Sequence, residues 1–177
     1  MQTLTCPVPS NINPLQTNGF LFGIQKLPEM LYFCQEVNLP ELSAPPGEID
    51  TPLTLIPIPG DKLSFGELTV VFLIDETMSN YIAVHNWMVG LGFPESHDQY
   101  KNFIATRSDD LNKNELTAGY SDGTLQILNS SNNVARSIQF KDMFPTSLSS
   151  LQLQTTTQDT TYFAASATFR YTTYKFE

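Results

Sequence analysis

The sequence predicts a mainly β domain of about seven strands with one flanking α-helix. Aromatic residues make up 11 % of the chain, with 12 Phe and 7 Tyr, and this composition favours strands. Apolar and polar residues alternate in several short segments that are bounded by turn-forming residues. Only residues 75–91 combine apolar side chains at helical spacing with a capping residue at the start.

The chain is predicted to have one domain preceded by an arm. Its 177 residues match the usual size of a single domain, and no internal repeat divides residues 19–177. Residues 1–18 contain three prolines, which prevent a helix or a central strand, so we expect an extended Pro-rich arm there.

The first half of the domain is predicted to contain a hairpin, a buried strand and the helix. Residues 20–26 and 31–37 are interpreted as two strands joined by a turn. Residues 66–74 form the most apolar strand. Asp75 follows that strand and is predicted, with Thr77 as the alternative, to cap the helix. Trp87 within the helix is predicted to anchor the core, and the alternative is that it anchors a contact between subunits.

The second half is predicted to be β again, after a solvated loop over residues 95–114. Residues 124–128 and 134–140 form a predicted hairpin, and residues 151–154 and 162–176 supply the last strands. A turn is predicted at residues 144–146, because Pro145 fixes the chain direction there. Phe140 and Phe144 are predicted core anchors.

Residues 41–60 form a long loop that is unusually apolar. The loop has five prolines, and residues 53–58 are interpreted as an edge strand because proline cannot donate to a ladder. Four of its side chains would expose more apolar surface than a free loop should carry: Leu53, Leu55, Ile56 and Ile58. We therefore expect these four side chains to be buried between subunits.

The charge of the chain argues against a protein that grips nucleic acid. Nine Lys and Arg residues against 18 Asp and Glu residues give a formal net charge of −9. Between Leu27 and Tyr100 there are eleven acids and one basic residue, Lys62. This excess either forms an ordinary solvated surface or lines a face that repels DNA.

No catalytic, cofactor-binding or metal site is predicted, and the chain is interpreted as a non-enzyme. It has no Gly-x-Ser-x-Gly motif and no phosphate-binding glycine loop. No metal-ligand spacing is found among the two cysteines and two histidines, Cys6, Cys34, His85 and His97. The adjacent acids Asp75 and Glu76 are better explained by helix capping than by a catalytic or metal site. No signal peptide or membrane span is apparent, so neither export by a signal peptide nor insertion into a membrane is expected.

Two blocks of the sequence resemble the tail tube family of contractile-tailed bacteriophages. Residues 138–153 are similar to the family's strand, aromatic-Pro-Thr turn and following strand. Residues 68–87 are similar to its strand, acidic junction and helix with a late Trp. Residues 169–176 resemble its closing strand, and residues 33–42 resemble the strand that leads into a loop touching the neighbouring ring. Two segments depart from the family's pattern, namely the Pro-rich arm over residues 1–18 and the predicted loop over residues 95–114.

The resemblance implies a closed β-barrel or sandwich whose copies form a homo-hexamer that stacks into a tube. It implies a virion structural protein of the tail, assembled in the host cytoplasm, with sheath and baseplate proteins as partners and genomic DNA passing through the lumen. The loop residues Leu53, Leu55, Ile56 and Ile58 would then contact the next ring. Alternatives are a tube-initiating or tube-terminating ring, a secretion-system inner tube of the same fold, and a soluble β-sandwich binding module.

Overall fold

The computed structural model of the protein describes residues 14–15, 17–92, 94, 96–99, 101, 119–154 and 162–177. The predicted Pro-rich arm and the predicted loop over residues 95–114 therefore lie mostly outside the described residues. The named helices are α1 (Met30–Phe33) and α2 (Ser79–Gly92). The strands are β1 (Phe20–Ile24), β2 (Cys34–Val37), β3 (Leu42–Ser43), β4 (Gly47–Asp50), β5 (Leu55–Ile58), β6 (Ser64–Phe65), β7 (Leu68–Leu73), β8 (Ser121–Leu128), β9 (Val134–Leu148), β10 (Ala164–Arg170) and β11 (Thr173–Phe176).

One large antiparallel sheet of seven strands forms the body of the protein, which confirms the predicted mainly β class. The strand order is β1-β8-β9-β10-β7-β2, and β11 also pairs with β9. The remaining strands form two small ribbons, β3 with β6 and β4 with β5. Residues 129–133, which separate the two strands of the predicted hairpin 124–128 and 134–140, join β8 to β9, and the Asn129 side chain accepts backbone hydrogen bonds from Ser131 and Asn133 there.

The large sheet bends sharply in the middle of β9. Before the bend β9 pairs with β8 and β11, and after it β9 pairs with β10. Asp142 lies at the bend with a φ of 55°, and its amide donates to the Asp122 carboxylate at 3.2 Å. Opposite Asp142, the chain turns between β10 and β11, and Thr172 N donates to Lys141 O at 2.9 Å. The bend lets both halves of the sheet face one core.

Aromatic side chains fill that core. Phe22, Phe72, Phe140 and Phe169 come from four different strands, and each is 0 % exposed. Full burial of one such side chain contributes roughly 1.5–3 kcal/mol. The helix α2 covers the core with residues at spacings of three and four, which lie on one helix face: Asn80, Val84, Trp87 and Gly90.

The predicted hairpin of residues 20–26 and 31–37 is wrong. Leu27 and Met30 are buried, and residues 30–33 form the helical turn α1, which replaces the start of the strand predicted from residue 31. As a result β1 pairs with β8, and β2 pairs with β7. β2 therefore pairs with a strand that is distant in sequence. That strand is β7, an apolar strand that is paired on one edge with β10 and on the other with β2.

Two further predictions in the second half are wrong. The segment Phe144-Pro145-Thr146 is part of β9 and does not turn. Proline is tolerated there because the register between β9 and β10 shifts at Thr168 and Phe169, so the strand has a bulge beside Pro145. Residues 151–154 do not form a strand either, and β10 pairs with β7 and β9.

Candidate assembly surface

The apolar loop of the sequence forms a β-hairpin arm, which we define as residues 41–66. Its inner ribbon pairs β3 with β6, and its outer ribbon pairs β4 with β5. Residues 51–54 turn the chain at the tip, where Thr54 N donates to Thr51 Oγ1 at 3.2 Å. Neither ribbon pairs with the large sheet, so the arm extends from the body of the protein.

Close backbone approach fixes the junction of the two ribbons. A Cβ atom added to Gly60 would lie 2.0 Å from the carbonyl oxygen of Pro45. The two segments can pass at this point only because residue 60 has no side chain.

The two faces of the outer ribbon differ in character. Directly paired residues share a face, and side chains alternate along each strand. Because Ile49 pairs with Ile56 and Gly47 pairs with Ile58, one face carries three isoleucines and a glycine. We call Ile49, Ile56 and Ile58 the isoleucine face. The opposite face carries two acids with the remaining apolar residues of the ribbon: Glu48, Asp50, Leu55 and Pro57.

The sequence-predicted loop residues all lie on this arm and are exposed in the single chain. Leu53 at the tip is 96 % exposed, Leu55 56 %, Ile56 46 % and Ile58 40 %. The structure adds Ile49, which is 49 % exposed and which sequence reasoning missed. Its signal was the alternation of acid, Ile and acid at residues 48–50.

Aromatic packing anchors the base of the arm to the closing strand. The Phe65 ring lies edge-on to Tyr171 and Tyr174, with centroid separations of 6.1 and 5.5 Å. Gly66 N donates to Glu41 O at 2.9 Å, and Arg170 donates to Glu67 Oε1 at 2.9 and 3.1 Å. The ion pair is exposed and contributes little, so the rings mainly set the direction of the arm.

Asp75 lies between β7 and α2 and accepts hydrogen bonds at the start of the helix. Its carboxylate receives the Ser79 amide at 3.2 Å, the Ser79 hydroxyl at 2.6 Å and the Thr77 hydroxyl at 2.8 Å. These bonds stabilise the charged form and lower the pKa of Asp75, the Ser79 hydroxyl having the largest effect. The neighbouring Asn80 is buried, and its amide donates to Leu73 O at 2.7 Å, which ties α2 to β7.

The three predicted core anchors lie at different depths. Trp87 is 3 % exposed, its Nε1 donates to Gly119 O at 2.9 Å, and Lys26 Nζ lies 4.4 Å from its ring centroid. Phe140 is fully buried, with its ring centroid 5.1 Å from that of Tyr171. Phe144 is half-buried, and its ring packs edge-on against Tyr120.

The thiol of Cys34 is partly buried in the structure. Burial raises the pKa of the Cys34 thiol to about 11, which keeps the sulfur protonated and poorly nucleophilic at neutral pH. Among the residues that the structure describes, no three His, Cys, Asp or Glu side chains are grouped to hold a metal ion. No helix in the described part of the chain is long and apolar enough to cross a membrane.

No protein-family model and no curated protein sequence matches this chain. Solved structures do match in fold. A chain of the cryo-EM structure of the anti-feeding prophage cap, the AFP tube terminating cap, aligns with a TM-score of 0.63 at 15 % identity and covers 99 % of both chains. A chain of the sheath-tube complex of the extracellular contractile injection system PVC in its extended state aligns at 0.56 and 17 % identity, covering 93 % of this chain and 91 % of that one.

A chain of the anti-feeding prophage baseplate gives a TM-score of 0.57 at 9 % identity, covering 93 % of this chain and 96 % of that one. The structural neighbours are therefore components of tube, cap and baseplate assemblies of contractile injection systems. At such low identities the likeness concerns the fold, and at this level the resemblance seen in the sequence is confirmed.

Proposed function

We propose that this protein is a virion structural protein that forms hexameric rings, and that these rings stack into the tail tube through which phage DNA is ejected. The hairpin arm carries the proposal. It holds five exposed Leu and Ile side chains on a ribbon outside the large sheet, an apolar surface that a solitary soluble protein rarely exposes. The fold likeness to chains of tube assemblies supports the same role.

The proposal includes closure of the sheet into a barrel and pairing between barrels. β1 and β2 end the strand order of the large sheet and are connected through the short α1, so they are the strands that meet on closure. Within the described ranges β11 pairs only with β9, which leaves its other edge for a neighbouring copy. Pairing in a ring removes open edges that would otherwise promote aggregation.

Sheath and baseplate proteins are the proposed partners of the tube, since the matching chains belong to assemblies with those parts. Genomic DNA would pass through the lumen without specific binding, because the net charge of −9 repels phosphates. The proposed location is the tail of the virion, with assembly in the host cytoplasm and no role for a membrane or a cofactor.

Shortening the arm tests its role in assembly. Replacing residues 46–59 by a tight two-residue turn should leave the large sheet intact, because neither ribbon pairs with that sheet. We expect wild-type protein to form rings and filaments in electron micrographs and the shortened variant to remain a folded subunit with an unchanged thermal midpoint. Filaments of the shortened variant would refute the role of the arm. A wild-type protein that stays monomeric at every concentration would favour a soluble binding module.

A tube-terminating ring is the second candidate. The alignment with the tube terminating cap covers 99 % of both chains, and its TM-score of 0.63 exceeds those of the sheath-tube and baseplate alignments, 0.56 and 0.57. A terminator would form single rings that do not grow, whereas a tube subunit would form filaments whose length rises with protein concentration. Electron micrographs of the purified protein over a range of concentrations separate the two.

A further inference from the structure

A second apolar surface lies at the end of the body opposite to the arm. It is a groove of about 680 Å³ between the end of β7, the chain just after β9 and the chain just before β10, and we call it the end groove. Its apolar lining includes Phe33, Leu73, Ile74, Leu151, Leu153 and Phe163. Leu153 is 81 % exposed and Phe163 42 %, so the lining is open to solvent in the single chain.

The strands β2 and β7 connect the two surfaces. β7 begins directly after the base of the arm and ends at Leu73 in the end groove. β2 runs antiparallel beside it, starting next to Phe33 in the groove and ending before the arm. A strand of six residues spans roughly 20 Å, so the arm and the groove lie at opposite ends of one strand pair.

From this arrangement we propose that the end groove receives the arm tip and the isoleucine face of a second copy of this chain. An apolar projection at one end and an apolar groove at the other make a heterologous contact, which repeats without closing. This inference rests on the proposed function, and it specifies where the arm binds.

The charges of the two surfaces are compatible with this contact. Two acids, Asp75 and Glu76, are among the residues that line the groove. Residues 51–60 of the arm contain no charged residue, and the arm acids Glu48 and Asp50 lie on the face opposite to the isoleucines. The tip can therefore enter the groove without bringing carboxylates together in an apolar setting.

The area of the contact explains why it would operate between rings. A fully buried Leu or Ile side chain removes on the order of 100 Å² from water, so Leu53 and the three residues of the isoleucine face could together bury about 200 Å². A stable interface buries about 800 Å² on each partner. A single arm is too weak to hold a dimer, whereas a ring of arms engaging together gains from multivalency.

Complementation between two defective variants tests the contact. The arm variant is Leu53→Asp with Ile56→Asp, and the groove variant is Leu153→Asp with Phe163→Asp. All four residues are at least 42 % exposed, so both variants should fold. Val134→Asp, at a residue that is 50 % exposed and lies outside both surfaces, is the matched control and should assemble like the wild type.

We expect neither variant to form filaments alone. Mixed in equal amounts they should pair intact arms with intact grooves and stop at a particle of twice the mass of either variant's own ring. Normal filaments of the groove variant, alongside a defective arm variant, would overturn the inference while leaving the proposed function intact. Wild-type protein that never assembles would instead refute the proposed function.

Cross-linking locates the contact directly. Leu53→Cys with Phe163→Cys, in a chain that also carries Cys6→Ser and Cys34→Ser, should form a ladder of disulfide-linked species under mild oxidation of the filament. Each of the two single-cysteine chains can form dimers at most and serves as the control. Filaments that oxidise without producing a ladder beyond the dimer would place the arm tip elsewhere, on another site of this chain or on a different protein.

Discussion

Two phenylalanines of β9, four residues apart, differ in how deeply they are buried. Phe140 is 0 % exposed and packs among the core rings, whereas Phe144 is half-buried beside Tyr120. We expect Phe140→Ala to lower the free energy of unfolding by about 3–5 kcal/mol and Phe144→Ala by roughly half as much. Urea denaturation of the two variants checks this order. Equal losses would mean that Phe144 becomes fully buried in solution.

At Asp75 the stability of the protein should depend on pH. The hydrogen bonds from Ser79 and Thr77 lower the pKa of the carboxyl, so its contribution is present above the unfolded-state value, about 3.9, and is lost as the pH falls through the folded-state value. Asp75→Asn should therefore lower the thermal midpoint at pH 7 and have a shrinking effect below about pH 4. The exposed neighbour Glu76 offers the control Glu76→Gln. An Asp75→Asn effect that is constant from pH 3 to pH 7 would contradict this account.

Glycine 60 determines the shape of an element, the arm. Because a Cβ atom at residue 60 would clash with Pro45 O, Gly60→Ala must displace the outer ribbon. We expect a thermal midpoint close to that of the wild type, since the ribbons do not pair with the large sheet, together with a strong loss of filament formation. Gly92→Ala is the matched control, because nothing lies within 4 Å of an added Cβ there. Normal filaments of Gly60→Ala would show that the arm adapts or is not needed.

The elements that were predictable from the sequence are those specified by local patterns. β7 is a continuous apolar run, and α2 follows a capping residue with a favourable spacing, so both were recognised. The partner of β2 could not be predicted, because it depends on the distant β7 and no local turn chemistry encodes it. A bulge in β9 likewise allowed Pro145 to sit inside a strand where a turn was predicted.

For the assembly surface, the amino-acid composition of the loop revealed less than the strand register seen in the structure. The excess of Leu and Ile among prolines identified the arm, but the strand boundaries that define its two faces were hidden by those prolines. Only the register of Ile49 with Ile56 reveals a continuous isoleucine face. The end groove was invisible in the sequence, since its lining comes from segments as distant as Phe33 and Phe163.

On the scale of the whole molecule, the net negative charge of each chain would add up around the proposed tube. A net charge of −9 is repeated in every subunit of a ring, and a concave wall focuses the resulting field on the axis. A duplex inside the lumen would then be repelled from all sides and could slide. We therefore expect assembled tubes to show no measurable affinity for duplex DNA, even at low salt, where screening is weakest.

Charge reversal would identify the acids that face the lumen. Single changes to Lys at the exposed acids Glu36, Glu41, Glu48 and Asp61 should leave folding nearly unaffected, because exposed substitutions usually change stability by only about 0.5 kcal/mol. Where the residue faces the lumen, the assembled tube should acquire DNA affinity that falls steeply with salt, since each added phosphate contact releases a counterion. Where the changed residue lies on the outer wall instead, the new lysine can bind DNA only outside the tube. In that case the passage of DNA through the lumen should not slow. If wild-type tubes bind duplex DNA at low salt and none of these reversals strengthens the binding, the lumen is not negative and the proposed conduit mechanism fails.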